Sequence, residues 1–110
     1  SLGVHVVTTG AWVRNVTISS NRVSANGQTN TAGYTQAIRI DAPTERVTIA
    51  GNNCWDPGPV RRQTHGIQLS AGATFVDGHV IGNHVTGNAL SGLNVAGVLE
   101  ACTISDNTGA

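Results

Sequence analysis

The chain has 110 residues, a formal net charge of zero and only 11% charged residues. This length fits one domain. Six basic residues balance six acidic ones, which excludes the basic footprint typical of a nucleic-acid-binding protein. No apolar run approaches the roughly 20 residues that span a membrane, so we expect neither nucleic acid nor membrane as a partner.

Two short phrases alternate along the chain. The first is a small residue followed by an apolar, a polar and an apolar residue, at 3–6, 37–40, 66–69 and 92–95. The second is a β-branched residue, two further residues and an asparagine, at 18–21, 49–52, 80–83 and 104–107; the two middle residues are small or polar in every copy except for Ile81. Alternation over a few residues, bounded by turn-forming residues, predicts a short strand at each occurrence.

The asparagines of the second phrase are 31, 31 and 24 residues apart. Repeats of this length are typical of a solenoid, in which every repeat packs on its neighbours. We therefore predict an all-β parallel β-helix of about four rungs over 1–110, with rungs at approximately 3–36, 37–65, 66–91 and 92–110. No cap is visible at either end, so we expect a segment of a longer β-helix or a protomer of an oligomer.

Alignment of the repeats predicts columns of equivalent residues. The inward columns are Val4, Ile38, Ile67 and Leu93; Val6, Ile40, Leu69 and Val95; Ile18, Ile49, Val80 and Ile104; Val16, Val47 and Cys102; and Val23, Cys54 and Val85. The asparagine column is expected at a bend, because asparagine tolerates left-handed backbone angles and stacked amides can hydrogen-bond along the column.

Charged and sulfur-containing residues test the same alignment. It places Arg14 beside Glu45 and Arg46 beside Asp77, as opposite charges on neighbouring strands. Cys54 and Cys102 fall on different segments about two rungs apart, a separation near or beyond disulfide reach. We expect both to be buried free thiols.

The repeats at 15–21 and 46–52, followed by Thr64-His65-Gly66-Ile67, resemble the pectin-lyase-like right-handed parallel β-helix superfamily. More narrowly, the chain resembles phage tailspikes and pectate-lyase-superfamily proteins that act on polysaccharide. The resemblance implies a carbohydrate ligand, an extracellular or virion-associated setting and, for tailspikes, a homotrimer. The matching residues form rungs and none is a catalytic signature, so the resemblance does not fix a reaction.

Two long turns interrupt the repeats and leave the same corner. The turn at 22–37 carries Tyr34, and the turn at 53–66 concentrates aromatic, acidic and basic residues, namely Trp55, Asp56, Arg61, Arg62 and His65. Long loops on a rigid scaffold often bind ligands, and paired arginines would favour an acidic glycan. The structural alternative is that Trp55 covers an apolar corner and that the arginines are solvated.

The second candidate surface is the outward column of His5, Arg39, Gln68 and Asn94, flanked by Asp41. Outward polar residues are also what an ordinary solvated strand carries. Asp41 and Asp56 are the candidate catalytic acids, although glycoside hydrolysis needs two carboxylates at a defined separation, which the sequence does not secure. No ligand set for a metal is visible, and no cofactor is expected.

Three functions stay open. The chain is a polysaccharide-recognising β-helix segment, a hydrolase or lyase acting on an acidic polysaccharide, or a passive structural spacer. A spacer should have short turns throughout, whereas an enzyme should bring two carboxylates together. The two long turns count against a spacer, and the sequence gives little reason to expect two carboxylates together. Recognition is therefore favoured, and whether the chain is an enzyme is left undecided.

Overall fold

The computed structural model describes residues 4–7, 11–24, 36–55, 63–88 and 90–109, and all regular elements in these ranges are short strands. In chain order they are β1 (Val4–Val7), β2 (Val13–Arg14), β3 (Thr17–Ser19), β4 (Arg22–Ser24), β5 (Ile38–Asp41), β6 (Thr44–Glu45), β7 (Thr48–Ala50), β8 (Asn53–Trp55), β9 (His65–Leu69), β10 (Thr74–Val76), β11 (His79–Ile81), β12 (Ser91–Val95), β13 (Val98–Glu100) and β14 (Thr103–Ser105). No helix long and apolar enough to cross a membrane occurs within the described ranges.

The strands form parallel sheets that run along the stack of rungs. The first sheet has the order β1-β5-β9-β12, the second β2-β6-β10-β13 and the third β3-β7-β11-β14, while β4 pairs with β8 on a short fourth side. Each strand pairs with its equivalent in the next rung. The predicted all-β parallel β-helix of about four rungs is therefore confirmed.

The second sheet is a feature that the repeat analysis missed. Its strands are two or three residues long, which is too short for alternation to be recognised in sequence. Its inward column runs Val13, Thr44, Phe75 and Leu99. Phe75, only 1% exposed, is the largest fully buried side chain among the described residues, so this unpredicted side supplies much of the core of rung 3.

The inward columns have the predicted register. Val4, Ile38, Ile67 and Leu93 are aligned as neighbours, and so are Ile18, Ile49, Val80 and Ile104. Members of the two interior rungs are almost completely buried, whereas those of rungs 1 and 4 are mostly partly exposed. Burial removes apolar surface from water and is the main stabilising term of such a stack.

The asparagines form a continuous ladder of amides, as predicted. The side-chain oxygens of Asn52, Asn83 and Asn107 each accept two bonds from the asparagine one rung earlier, from the main-chain N–H at 3.0 Å and from Nδ2 at 2.8–3.0 Å. The Nδ2 groups of the same three residues also donate to a carbonyl of the preceding rung at 2.9 Å. Asn52 and Asn83 are buried, and this network satisfies their side chains.

The prediction that these asparagines adopt a left-handed backbone is wrong. The positive φ angles lie one residue earlier, at Ser20, Gly51, Gly82 and Asp106, with values of 56–67° in the left-handed region. A second column of positive φ, at Asn15, Arg46, Asp77 and Ala101, marks the bend between the second and third sheets. The bend therefore precedes the asparagine, whose side chain is turned inward to form the ladder.

One of the two predicted ion pairs forms. Arg14 Nε lies 3.5 Å from Glu45 Oε1, as the register requires. Arg46 instead places Nη2 3.2 Å from Glu45 and donates from Nε to Asn15 Oδ1 at 2.8 Å. The predicted pairing of Arg46 with Asp77 is wrong, because the Arg46 side chain extends toward rung 1 and Asp77 lies on the rung-3 side.

Strands β9 and β12 of the first sheet each need a glycine at their second residue. A Cβ on Gly92 would lie 2.4 Å from the carbonyl oxygen of Val85, and one on Gly66 would lie 3.0 Å from the Val85 side chain. Both thiols are free, as predicted. Cys54 is fully buried, and burial raises its pKa to about 12, whereas Cys102 is only partly buried, contrary to expectation.

Candidate functional site

The outer face of the first sheet carries one continuous row of polar side chains. His5 is paired with Arg39, Arg39 with Gln68, and Gln68 with Asn94, one residue from each rung. These positions alternate with buried apolar ones, so the row faces outward while the same strands form the core. The row is the one that the repeat alignment predicts, and we call it the polar row.

Asp41 joins the first two members of the polar row. Its Oδ2 atom accepts a hydrogen bond from Arg39 Nε at 2.7 Å and lies 2.5 Å from His5 Nε2. The three side chains are 18–25% exposed. Asp41 follows Ile40 at the end of β5, so two adjacent rungs contribute to a single ion-pair cluster.

The surroundings of Asp41 favour its ionised form. Burial raises the pKa of this carboxyl, but the nearby Ser70 hydroxyl, Arg39 and His5 together lower it below the ordinary value of 3.8. A carboxylate held by a guanidinium and an imidazole is well oriented but is a weak base. The cluster is therefore better suited to hold a fixed charge than to supply a proton.

The remaining half of the polar row consists of amides. Gln68 Nε2 donates to Asn94 Oδ1 at 3.1 Å. The Nδ2 group of Asn94 has no acceptor among the described residues, and Asn94 is partly exposed in rung 4. This end of the row therefore offers hydrogen-bond donors beside the charged end formed by Asp41, Arg39 and His5.

Trp55 lies on the fourth side of the β-helix. It ends β8 and is half-buried, and the guanidinium carbon of Arg22 sits 5.5 Å from the centre of its ring. This distance fits a cation–π contact. Sequence reasoning did not select Arg22; the alignment of the rungs places it opposite Asn53, two residues before Trp55, which is the signal that could have found it.

Of the other candidate residues, His65 lies within the described ranges and the rest do not. His65 begins β9 and pairs with Ser91 in the next rung, so it belongs to the first sheet at the end opposite Asp41 along the strand direction. The four other nominated residues, Tyr34, Asp56, Arg61 and Arg62, lie outside the described residues. The structure thus brings Asp41 and Arg39 together and leaves the long-loop candidates as predictions.

The acidic residues are spread over different sides of the β-helix in the part of the chain that the structure describes. Asp41 is the single acidic residue there on the first sheet, since Glu45, Asp77 and Glu100 belong to the second sheet and its bend, and Asp106 lies near the asparagine ladder. No group of three potential metal ligands is present within the same ranges, and no pocket was found in them.

His84 lies beside Asn53 on the fourth side of the β-helix. His84 Nδ1 lies 2.8 Å from the Thr108 hydroxyl, and its Nε2 lies 3.0 Å from that of Thr86. Both ring nitrogens therefore contact hydroxyls.

Comparison with known protein families found no model that matches this chain, and comparisons with curated proteins and with solved structures found no match.

Proposed function

We propose that this protein is a polysaccharide-recognising β-helix segment and that the polar row with Asp41 is its binding surface. The observation that carries the proposal is the cluster of His5, Arg39 and Asp41, continued along the same outward face by Gln68 and Asn94. In this proposal the chain is of the pectin-lyase-like, tailspike or pectate-lyase type and acts extracellularly or on a virion, with a trimer as the assembly that the resemblance implies.

The chemistry of the row suits a ligand rich in hydroxyl groups. Parallel strands repeat about every 4.8 Å, so the row offers polar groups at regular intervals on a rigid sheet. A carboxylate and an amide oxygen accept hydrogen bonds, while guanidinium and amide nitrogens donate them. Because Arg39 and His5 already hold Asp41, little side-chain entropy remains to be lost when a ligand binds.

Trp55 supports the same proposal as a second contact. Sugar rings stack on aromatic faces through their apolar C–H surfaces, and Trp combines a large apolar face with a polar edge. Arg22 lies over one face of the ring, so a sugar would stack on the opposite face or displace the guanidinium. The proposed acidic character of the glycan rests on Arg61 and Arg62.

Catalysis by a hydrolase or lyase is the weaker candidate. It would use Asp41, whose pKa is lowered by its partners, whereas a general acid needs a raised pKa. Hydrolysis would also require a second carboxylate, and Asp56 is the only one nominated. A passive spacer is the third candidate, and the ion-pair cluster in the polar row is a feature that a spacer does not need.

Titration of the protein with polygalacturonate, followed by amide NMR or calorimetry, tests the binding proposal. A neutral glucan of similar length serves as the comparison ligand. We expect saturable binding of polygalacturonate, and we expect Asn94→Ala and His5→Ala to weaken it about three- to tenfold, the effect of removing one or two hydrogen bonds. Arg61→Ala with Arg62→Ala should weaken the acidic ligand more than the neutral one.

Matched controls lie on the third sheet. Thr103→Ala removes a polar group from rung 4 as Asn94→Ala does, and His79→Ala removes an outward histidine as His5→Ala does. These controls should bind as the unsubstituted protein does. Equal loss of affinity in both sets would refute the polar row as the binding surface, and release of shorter oligosaccharides that Asp41→Asn abolishes would instead support the enzyme.

A further inference from the structure

Two amide side chains meet where the chain passes from the fourth side of the β-helix to the first sheet. Gln63 is fully buried, and its Nε2 group donates a hydrogen bond to Asn88 Oδ1 at 2.6 Å. Asn88 Nδ2 donates in turn to the carbonyl oxygens of Cys54 at 3.1 Å and Val85 at 3.0 Å. All four residues belong to the interior rungs 2 and 3. We call Gln63 and Asn88 the amide corner.

Asn88 continues a strand ladder that the main chain leaves short. Strand β8 pairs with β4 along its whole length, but toward rung 3 it is joined only by the bridge between Asn53 and His84. The Cys54 N–H donates to the His84 carbonyl at 2.8 Å. The Cys54 carbonyl then accepts from Asn88 Nδ2, which takes the place that a main-chain N–H has in a regular parallel ladder.

The amide corner contacts both ends of the long turn of rung 2. Cys54 directly precedes Trp55 in β8, and Gln63 lies two residues before His65, where β9 begins. Asn88 belongs to rung 3, yet it is hydrogen-bonded to both segments. The carbonyl that it holds is part of the peptide bond between Cys54 and Trp55. The corner therefore fixes the main chain at Trp55 relative to the segment that leads into the first sheet.

We propose that Asn88 and Gln63 are positioning residues for Trp55 in the proposed binding surface. They hold the indole in a fixed relation to the first sheet, whose outward face carries the polar row. A contact that is fixed before the ligand arrives loses less conformational entropy on binding. The effect on ligand affinity rests on the proposed function, whereas the effect on the Trp55 side chain is independent of it.

The NMR signal of the Trp55 indole N–H tests the positioning without any ligand, and Trp55→Phe assigns that signal. We expect Asn88→Ala to shift and broaden it but to leave the signal of Trp12, which lies before β2 on another side, unchanged. Asn107→Ala is the matched control, because Asn107 is also half-buried and its side chain makes three hydrogen bonds away from the amide corner. It should leave the Trp55 signal in place. A Trp55 signal that Asn88→Ala does not change overturns the proposal.

Affinity for polygalacturonate tests the consequence for binding. Trp55→Ala and Asn88→Ala should each weaken binding about three- to tenfold, the effect of losing one aromatic contact. The double variant should bind no more weakly than Trp55→Ala, because Asn88 acts through Trp55. Asn88→Ala and Asn94→Ala should instead be additive, since Asn94 belongs to the polar row.

Additive losses for Asn88→Ala and Trp55→Ala overturn the proposal. If the unsubstituted protein does not bind polygalacturonate, the proposed function fails, and the Trp55 signal still decides the role of the amide corner. Melting curves identify a variant that is unfolded. Asn88→Asp then replaces Asn88→Ala, because it keeps the size of the side chain and the acceptor for Gln63 but loses the donor to Cys54.

Discussion

Replacement of Asn83 by alanine tests whether the asparagine ladder stabilises the β-helix. The Asn83 side chain is fully buried and makes four hydrogen bonds. It accepts from the main-chain N–H and Nδ2 of Asn52 at 3.0 and 2.9 Å, and it donates to the Ile49 carbonyl and to Asn107 Oδ1 at 2.9 and 2.8 Å. Alanine removes all four, while Asn107 Oδ1 keeps the hydrogen bond from the main-chain N–H of residue 83 at 3.0 Å.

The expected loss is large relative to the stability of a domain of this size. A hydrogen bond contributes about 1 kcal/mol net, and a buried group left unsatisfied costs more, so Asn83→Ala should lower the free energy of unfolding by about 3–5 kcal/mol. Single domains unfold with about 5–15 kcal/mol in total. The variant should therefore be close to the limit of folding at room temperature.

Asn21→Ala is the matched control. The Asn21 side chain belongs to the same ladder but is exposed and donates one hydrogen bond, to Asn52 Oδ1 at 3.0 Å. Its loss should cost about 1 kcal/mol. Urea denaturation measures both variants, with a midpoint shift and an unchanged slope as the sign of a pure stability change. Equal shifts for the two variants would refute a stabilising ladder.

Gly92 in strand β12 and the cluster around Asp41 give two further predictions. Gly92→Ala should lower the free energy of unfolding by about 2–3 kcal/mol, because the added Cβ would lie only 2.4 Å from the Val85 carbonyl oxygen. Gly72→Ala is the control: its φ is 82° but no atom lies near the added Cβ, so it should cost only about 1 kcal/mol. Thermal melts of both variants measure the difference. Since the pKa of Asp41 is lowered below 3.8, its charge stabilises the fold above that pH, and the advantage is lost as pH falls through the lowered pKa. The melting temperature of Asp41→Asn should therefore lie below that of the unsubstituted chain at pH 7, and the difference should shrink as the pH falls below the ordinary carboxyl pKa of 3.8; a difference that does not change with pH would contradict this.

The repeats in the sequence were sufficient to predict the stacking of rungs and the register of the aligned columns. In a solenoid, each residue contacts its equivalent one repeat away, so aligning the repeats in the sequence predicts the long-range contacts. The columns of Ile18, Ile49, Val80 and Ile104 could be aligned for this reason, as could the asparagines and the pairing of Arg14 with Glu45. In a globular fold without repeats, the sequence of one segment does not indicate which other segment it contacts.

The positions of the bends and the directions of the side chains within that register follow from packing in the folded chain. Ser20 and Gly51, rather than the asparagines that follow them, adopt the left-handed backbone, because both neighbours suit a bend and only packing selects one. Arg46 contacts Glu45 of its own rung and Asn15 of rung 1 instead of Asp77 of rung 3, since a long side chain can reach either neighbouring rung. The joining of His5 to Asp41 likewise links different positions of two rungs. Alignment of the repeats predicts contacts between equivalent positions only. Contacts between non-equivalent positions of neighbouring rungs depend on side-chain rotamers and burial, which only the folded chain defines.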